Sequence, residues 1–375
     1  MKATCTYENI KKALRAVESM VGKDPSIPII SNILIEAQED TLSFSATNLE
    51  IGIVQKIPAK VEGLWKIVIS PNLLAGFLNA IRGGEHITII KEGESLIVKN
   101  DTYESVIKGL DAEDFPIIPQ FVGDGGVSLH LGNLQESIAT VLPFVTHNEI
   151  RPELTGVFFR VDNGQVYSAA TDSFRLGEKR LDMKHLVRGD ADFSYQVILP
   201  QKICAYINRL GDEYEEVLWD IDDNHLSVRC DQLYITTRLI DGNYPDYKQI
   251  IPSKTETNVI VKKDDLMESM RVMMVFSDKE VNEILMGVSE DALSVTTRKQ
   301  ERGTSETILK VSVSGEDQEV VVNPRYVFEG IQNIKEDEVF IGINNSAAPI
   351  VFRGSNKEGI NEDYTYIVMP IKNSN

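Results

Sequence analysis

The chain has 375 residues, 42% of them hydrophobic and 25% charged, a composition ordinary for a globular protein and a length that calls for two or three domains. Its net charge of −19 excludes a generally basic nucleic-acid binder, though not one whose cations are confined to a single surface. No apolar run of about 18 residues suits a membrane span, the start Met1-Lys2-Ala3-Thr4 has no signal core, and the scattered Cys5, Cys204 and Cys230 form no CxxC pair and read as buried residues of a reducing cytoplasm.

The first predicted element is an amphipathic helix. Ile10, Ala13, Leu14, Val17 and Val21 recur at helical spacing along one face. A strand ending in threonine follows, Leu42–Thr47, and then a β-like run, a proline and a second helix, Ile67-Val68-Ile69-Ser70-Pro71-Asn72-Leu73-Leu74. Proline suits a first helical turn, where its missing N–H has no partner to lose. Short strands close the unit, the last being Tyr103–Leu110.

The same order then returns twice. Leu134, Ile138, Val141 and Leu142 begin the second copy, and Leu266, Met270, Met273 and Met274 the third. The threonine strands recur as Val166–Thr171 and Leu293–Thr297, so the threonines lie 124 and 126 residues apart. The proline helices recur at Pro200 and Pro324, and the closing strands at Leu233–Ile240 and Tyr364–Ile371. To keep step, the third copy takes a longer loop at Ser355–Asp363. A period near one third of the chain is the mark of an internal repeat.

The repeat implies an α+β fold of three similar domains, 1–121, 122–252 and 253–375, divided at Phe115–Pro119 and Tyr244–Pro252. Each carries two helices on antiparallel sheet and some eight short strands. Hairpin signals at Asp162-Asn163-Gly164 and Asp222-Asp223-Asn224 support that count. Copies joined head to tail either close into a ring or extend as a filament, so three in one chain can form an arc that a second chain completes. On such a ring's inner helices Lys12, Arg15, Arg82, Lys202, Arg209 and Arg271 are candidate DNA-facing cations, while acidic runs at Asp111–Asp114, Asp212–Glu216 and Glu336–Glu338 lie elsewhere. The same charges also suit plainly solvated helix faces.

Three segments carry a more specific likeness. Ala170-Thr171-Asp172-Ser173-Phe174-Arg175-Leu176 resembles the ATDxxRL signature of bacterial DNA polymerase III β sliding clamps. Leu239-Ile240-Asp241-Gly242-Asn243-Tyr244-Pro245-Asp246-Tyr247 is similar to their LxDGxFPDY segment, and Tyr366-Ile367-Val368-Met369-Pro370-Ile371 to their C-terminal ending. With the three-unit layout, the resemblance spans essentially the whole chain.

The resemblance implies a clamp fold, a head-to-tail homodimer of six pseudo-equivalent domains, and duplex DNA encircled without regard to sequence. It also implies a cleft between the second and third domains that takes short linear motifs of polymerase subunits, clamp loader and repair factors. Carried over position by position, that cleft comprises Leu154, Thr171, Ser173, Phe174, Arg175, Leu176, Pro245, Ile250, Asn323, Tyr326, Ala347, Ile367, Val368, Met369, Pro370 and Ile371. Met369 suits a surface that adapts to several peptides, and Arg175 suits a polar or acidic peptide group. Asn148, Arg151 and Lys23 are expected phosphate contacts. Tyr103 and Val106 are expected on one side of the dimer joint, Val275 and Phe276 on the other. Ser173-Phe174 stands where the family often has Gly-His, which makes the cleft more apolar; Gln249 stands at a position often basic, and Lys372–Asn375 extend past the usual end.

Enzymatic readings find little support. There is no P-loop, HExxH, glycine fingerprint or GxSxG. His86, His130, His147, His185 and His225 lack metal-ligand spacing, so neither metal nor cofactor is expected. Ser105-Val106-Ile107-Lys108 is a bare SxxK on a predicted strand, and Asp172 reads as a turn cap. The alternative function is a multidomain peptide-binding scaffold that does not encircle DNA, with a hydrolase a distant third.

Overall fold

The computed structural model describes the chain except for residues 82–84, 121–126, 149, 163–164, 183–185, 189–194, 212, 223, 278–281, 298–302 and 373–375. Arg82, His185, Asn163-Gly164 and Asp223 of the hairpin signals, and the tail beyond Lys372 therefore lie outside the described residues.

Six helices occupy the positions that the repeat predicts: α1 (Tyr7–Glu18), α2 (Pro71–Ala80), α3 (Leu131–Val141), α4 (Gln201–Ile207), α5 (Lys263–Phe276) and α6 (Pro324–Ile331). The predicted face of α1 is buried at Ile10, Ala13, Leu14 and Val17. Thr6 caps its first turn by accepting a hydrogen bond from the Asn9 amide at 3.3 Å. Val21 falls outside it, because Ser19 ends the helix and Gly22 lets the chain turn under Ile30. Leu142 likewise belongs to a separate 3-10 turn, Leu142–Phe144. Pro71 and Pro324 open their helices as expected, whereas Pro200 stands just before α4 as its cap.

Each repeat holds nine described strands rather than eight. The extra ones are Lys60–Glu62, Leu186–Arg188 and Ser312–Ser314, each only three residues long. Three residues are too few for an alternating pattern to be read. Residues 355–363 also depart from expectation. They form the end of a hairpin between Ile350–Asn356 and Gly359–Val368 instead of a loop. Asn356 accepts a hydrogen bond from the Glu358 amide at 2.8 Å, and Gly359 supplies the left-handed φ of +126° that the reversal needs.

The chain divides into two compact units, one of residues 1–131, 186–190 and 211–239, the other of 132–185, 191–210 and 240–375. The first is built on a fourteen-stranded sheet that contains every strand of the first repeat and five of the second. These meet where Ile51–Pro58 pairs antiparallel with Leu233–Arg238, Gly52 opposite Thr236. The second unit has a nine-stranded sheet and a four-stranded one. In the larger sheet, Arg175–Asp182 of the second repeat pairs with Gly359–Val368 of the third, Leu176 opposite Ile367. Both joints follow one rule: the fourth strand of one repeat bonds to the last strand of the next.

The three cysteines are free and buried, and burial pushes the Cys5 and Cys230 thiols up to about 12. Among the described residues no group of histidines, cysteines and carboxylates has metal-binding geometry, and no helix is long and apolar enough to cross a membrane.

Alternation along Gly359–Val368 sorts its side chains between two layers. Tyr364 and Tyr366 turn toward α6: the Tyr366 hydroxyl donates to the Tyr326 carbonyl at 2.8 Å, and that of Tyr364 to the Gly330 carbonyl at 3.1 Å. Ile367 turns the other way, into a cluster with Phe158, Ala169, Leu176, Ile198, Tyr247 and Val351. A Cβ at Gly330 would lie 1.9 Å from the Tyr366 ring, so only glycine lets α6 seat there. Alanine improves an unconstrained helix, but here overpacking decides the sign. Gly330→Ala is expected to destabilise the protein by about 1–3 kcal/mol, read as a lower urea midpoint. An unchanged or higher midpoint would contradict this seating.

Candidate functional site

The site grows from a tight turn. Thr171 ends a strand, and its hydroxyl donates to the Arg175 carbonyl at 2.6 Å while accepting from the Ser173 amide at 3.1 Å. One Asp172 carboxylate oxygen accepts from the Phe174 and Arg175 amides, both at 3.0 Å, which is the capping role read from the sequence. Ser173 takes a φ of +78° to close the turn. The chain leaves as a strand with Phe174 and Leu176 on one face and Arg175 on the other.

Arg175 has little freedom. Its Nε donates to Asp172 at 2.9 Å, one terminal nitrogen pairs with Glu329 of α6, and the other reaches the Pro143 carbonyl at 3.4 Å. Its guanidinium lies 4.5 Å from the Tyr326 ring centroid and 5.2 Å from that of Phe144. Burial works against the charge, but Glu329, Tyr366 and Asp172 more than offset it and push the Arg175 pKa up. Arg175 therefore ties the second repeat to α6. Three of its five N–H donors are engaged within the protein, so any peptide group it meets finds a charge already held in place.

The opposite face carries the apolar surface. The Met369 amide donates to the Phe174 carbonyl at 2.8 Å, which extends the strand pairing and sets Phe174 beside Met369. Inward along this ladder, Leu176 and Ile367 are covered by the segment 240–252. Tyr244 stacks on Phe158 at 4.7 Å, and Tyr247 meets it edge-on at 6.0 Å. The cover leaves one end of the ladder open: Phe174 is 61% exposed and Met369 and Pro370 are half-buried, while on the cover itself Ile250 is 42% exposed and Pro245 half-buried. An apolar ladder that is roofed along its length and open at one end is a cleft.

This geometry divides the predicted cleft residues. Phe174, Met369, Pro370, Pro245 and Ile250 present surface. Leu154, Thr171, Leu176, Ile367 and Val368 are buried, Val368 at 0% exposure, so they build the wall instead of lining it. Asn323 caps α6 by accepting from the Arg325 amide at 2.9 Å, Tyr326 lies against Arg175, and half-buried Ile371 donates to the Val321 carbonyl at 2.8 Å. Ser173 is exposed and lies 3.5 Å from Arg151. Ala347 is exposed on a turn held by Asn345, and no described contact joins it to the rest. Glu329 and Phe144, which fix Arg175, were missed by sequence reading because neither lies within a motif.

The equivalent turn of the first repeat is an internal control. Thr47 and Asn48 make the same hydrogen bonds, Leu49 takes the same φ at +73°, and the Glu50 carbonyl accepts from the Arg238 amide at 3.0 Å. Here, however, Glu50 and Arg238 stand where Phe174 and Met369 do, and Gly52 replaces Leu176. A Cβ on Gly52 would lie 2.6 Å from Ile118, which fills the corresponding space. The same backbone yields one filled joint and one open cleft.

The predicted DNA-facing residues fare unevenly. In the first unit Arg15 and Lys23 are exposed, but Lys12 pairs with Glu213 at 3.6 Å and lies over Tyr214 at 4.6 Å, so an acidic residue sits on that surface. In the second, Lys202 and Asn148 are exposed. Arg271 is exposed on α5 and lies over Phe328 at 5.3 Å. Arg209 follows the end of α4 instead of lying within it, its Nε donating to the Ala205 carbonyl at 3.1 Å. Arg151 pairs with Glu153 at 3.1 Å and reaches toward Ser173, at the rim of the cleft. As for SxxK, Ser105 and Lys108 lie three apart on a strand and so point to opposite faces.

Family models for the DNA polymerase III beta subunit match along the chain: the N-terminal domain at residues 1–119, the central domain at 128–246 and the C-terminal domain at 248–372. A beta sliding clamp of Vibrio cholerae is 25% identical, the match covering 99% of this chain and 100% of that one. The fold matches a crystal structure of a DNA polymerase sliding clamp from Pseudomonas aeruginosa with ligand, with a TM-score of 0.92, 23% identity and full coverage of both chains. Another Pseudomonas aeruginosa sliding clamp, solved bound to griselimycin, gives a TM-score of 0.91 at 24% identity, again over both whole chains.

Proposed function

Since the chain belongs to the DNA polymerase III beta subunit family, we propose that it is a DNA sliding clamp: a cytoplasmic, non-catalytic ring that encircles duplex DNA and tethers the replicative polymerase for processive synthesis. The three clamp domains are taken to run over 1–121, 122–252 and 253–375.

One observation carries the ring. Twice, the fourth strand of a repeat bonds to the last strand of the next. The third repeat's own fourth strand, Glu306–Lys310, is left as an edge of its sheet. The first repeat's last strand, Glu104–Leu110, pairs fully with Ser95–Lys99, but on its other side only Gly109 and Leu110 bond to a described strand. Exposed apolar residues sit at both edges: Tyr103 and Val106 at 55% and 62%, Ile308 and Val275 at 67% and 70%. Long apolar edges are a liability that native proteins cover. A second copy covers both at once, and two chains close a head-to-tail ring.

Carrying the register of the two internal joints to this third one sets Tyr103 opposite Ile308 and Val106 opposite Ser305, with Val275 and Phe276 of α5 beside them. Sequence reading missed Ile308. Glu306-Thr307-Ile308-Leu309-Lys310 shows no apolar–polar alternation that would have singled it out. Ile308→Asp is expected to convert the dimer to a monomer in light scattering at micromolar concentration. A dimer of undiminished stability would overturn the joint.

DNA retention follows from topology. Arg15, Lys23, Asn148, Lys202, Arg209 and Arg271 supply weak phosphate contacts that read no base edge. Arg151 serves the rim of the cleft instead, and Lys12 contributes less because Glu213 neutralises it.

The cleft beside Phe174 and Met369 receives short linear motifs from polymerase subunits, clamp loader and repair factors. Each apolar anchor buried there is worth about 1.5–3 kcal/mol, enough to dominate a short peptide's affinity. Replacing Met369 and Pro370 together by aspartate is expected to remove anisotropy-detected binding of a fluorescein-labelled peptide copied from the clamp-binding segment of the organism's replicative polymerase. The ring mass is expected to stay that of the dimer. Unchanged peptide affinity in a dimeric variant would contradict the cleft assignment.

A further inference from the structure

The segment that roofs the cleft packs on the sheet through Ile240, Tyr244, Tyr247 and Ile251, and an ion pair from Lys248 adds to that hold. Glu178 follows Leu176 by two residues on the roofed face of Arg175–Asp182, and it is only 6% exposed. Its Oε2 lies 2.5 Å from Lys248 Nζ, out of line for a hydrogen bond but in close charge contact. Lys248 belongs to the short 3-10 turn Tyr247–Gln249, which Ile250, the exposed wall of the cleft, follows directly. The ammonium also lies 4.4 Å from the Tyr167 ring centroid.

The pair sits in a polar cavity of about 250 Å³ that Arg180, Ile251, Pro252 and Arg353 help to line. The neighbouring cations have carboxylates of their own: Arg160 pairs with Asp162 at 3.9 Å, Arg180 with Asp363 at 3.3 Å and Arg353 with Glu362 at 3.0 Å. Burial, and then the Glu178 charge, push the Tyr247 hydroxyl well above its usual range, so it adds no competing charge. Among the described residues Lys248 is the one ion-pair partner of Glu178. Removing it leaves a buried carboxylate with no paired cation and only the neutral Tyr247 hydroxyl beside it, which the protein relieves most directly by lifting the roof and admitting water.

We propose that the Lys248–Glu178 pair is a latch that positions the Ile250 wall and thereby sets peptide affinity without either residue touching the peptide. The proposal rests on the cleft reading above. A residue acting this way shifts binding by about tenfold, not by abolishing it. The charge also explains rescue: with Glu178 neutral, losing Lys248 no longer strands anything.

The test uses the full-length dimer and the labelled polymerase peptide, with Kd read by anisotropy well below each variant's melting temperature and ring mass measured alongside. Lys248→Met is expected to weaken binding about tenfold with the dimer intact. Lys248→Arg, which keeps the charge, is expected to stay within about threefold of the parent, and so is the double variant Lys248→Met/Glu178→Gln. Unchanged affinity in Lys248→Met, while the Met369/Pro370 variant loses binding, would overturn the latch and leave the cleft standing. Unchanged affinity in both would overturn the cleft and the latch together. If Lys248→Met does not fold, the double variant is compared with Glu178→Gln alone. Equal affinities in those two support the latch, and a further large loss in the double variant overturns it.

Discussion

An antiparallel strand has two edges, and each unpaired edge carries backbone groups that must find partners. The first and second repeats resolve this by lending their fourth strand to the last strand of the repeat that follows. The Ile51–Pro58 and Leu233–Arg238 joint and the Arg175–Asp182 and Gly359–Val368 joint are two uses of that solution. Nearly every other feature depends on it. The threonine turn must sit at the start of the lending strand, the roofing connector must cross the joint, and helices must cover the remaining face. Three repeats in one chain satisfy two such joints and leave one donor and one acceptor edge at the ends, which is why a second copy of the chain enters the account.

The joint also creates the functional difference. Backbone geometry is nearly identical at the two turns, so chemistry at three positions decides what each becomes. Gly52 admits Ile118 and closes the first, while Leu176 keeps the cover at a distance and Phe174 with Met369 leaves an apolar end exposed. Arg175 does for the second joint what a free charge could not. It holds Asp172, Glu329, Tyr326 and Phe144 together beneath that joint.

Much of this was legible in the sequence. The helix faces, the threonine spacing and the prolines gave the three-unit α+β layout because each rests on local periodicity. The position of the cleft was legible only through the family resemblance of three motifs. What stayed hidden was non-local. The three-residue edge strands are too short to show alternation, and the Ser355–Asp363 hairpin reads as an insertion until its bulged register is seen. The pairing of Arg175 with Glu329 was hidden because the two lie 154 residues apart. Lys12 looked like a DNA contact because Glu213 belongs to a run counted as lying elsewhere. Ion pairs between distant segments leave no periodic trace, so charge pairing was the least readable property and the order of elements along the chain the most.

The central claim is that two chains close a ring through their free edges and that the ring, not direct affinity, retains DNA. Its most direct test loads the protein with a clamp loader onto nicked circular DNA, then follows the bound fraction after a single cut linearises the circle. The account predicts stable retention on the circle and rapid loss on cutting, with direct binding to linear DNA weak and strongly reduced by salt. Equal retention on circular and linear DNA would contradict it.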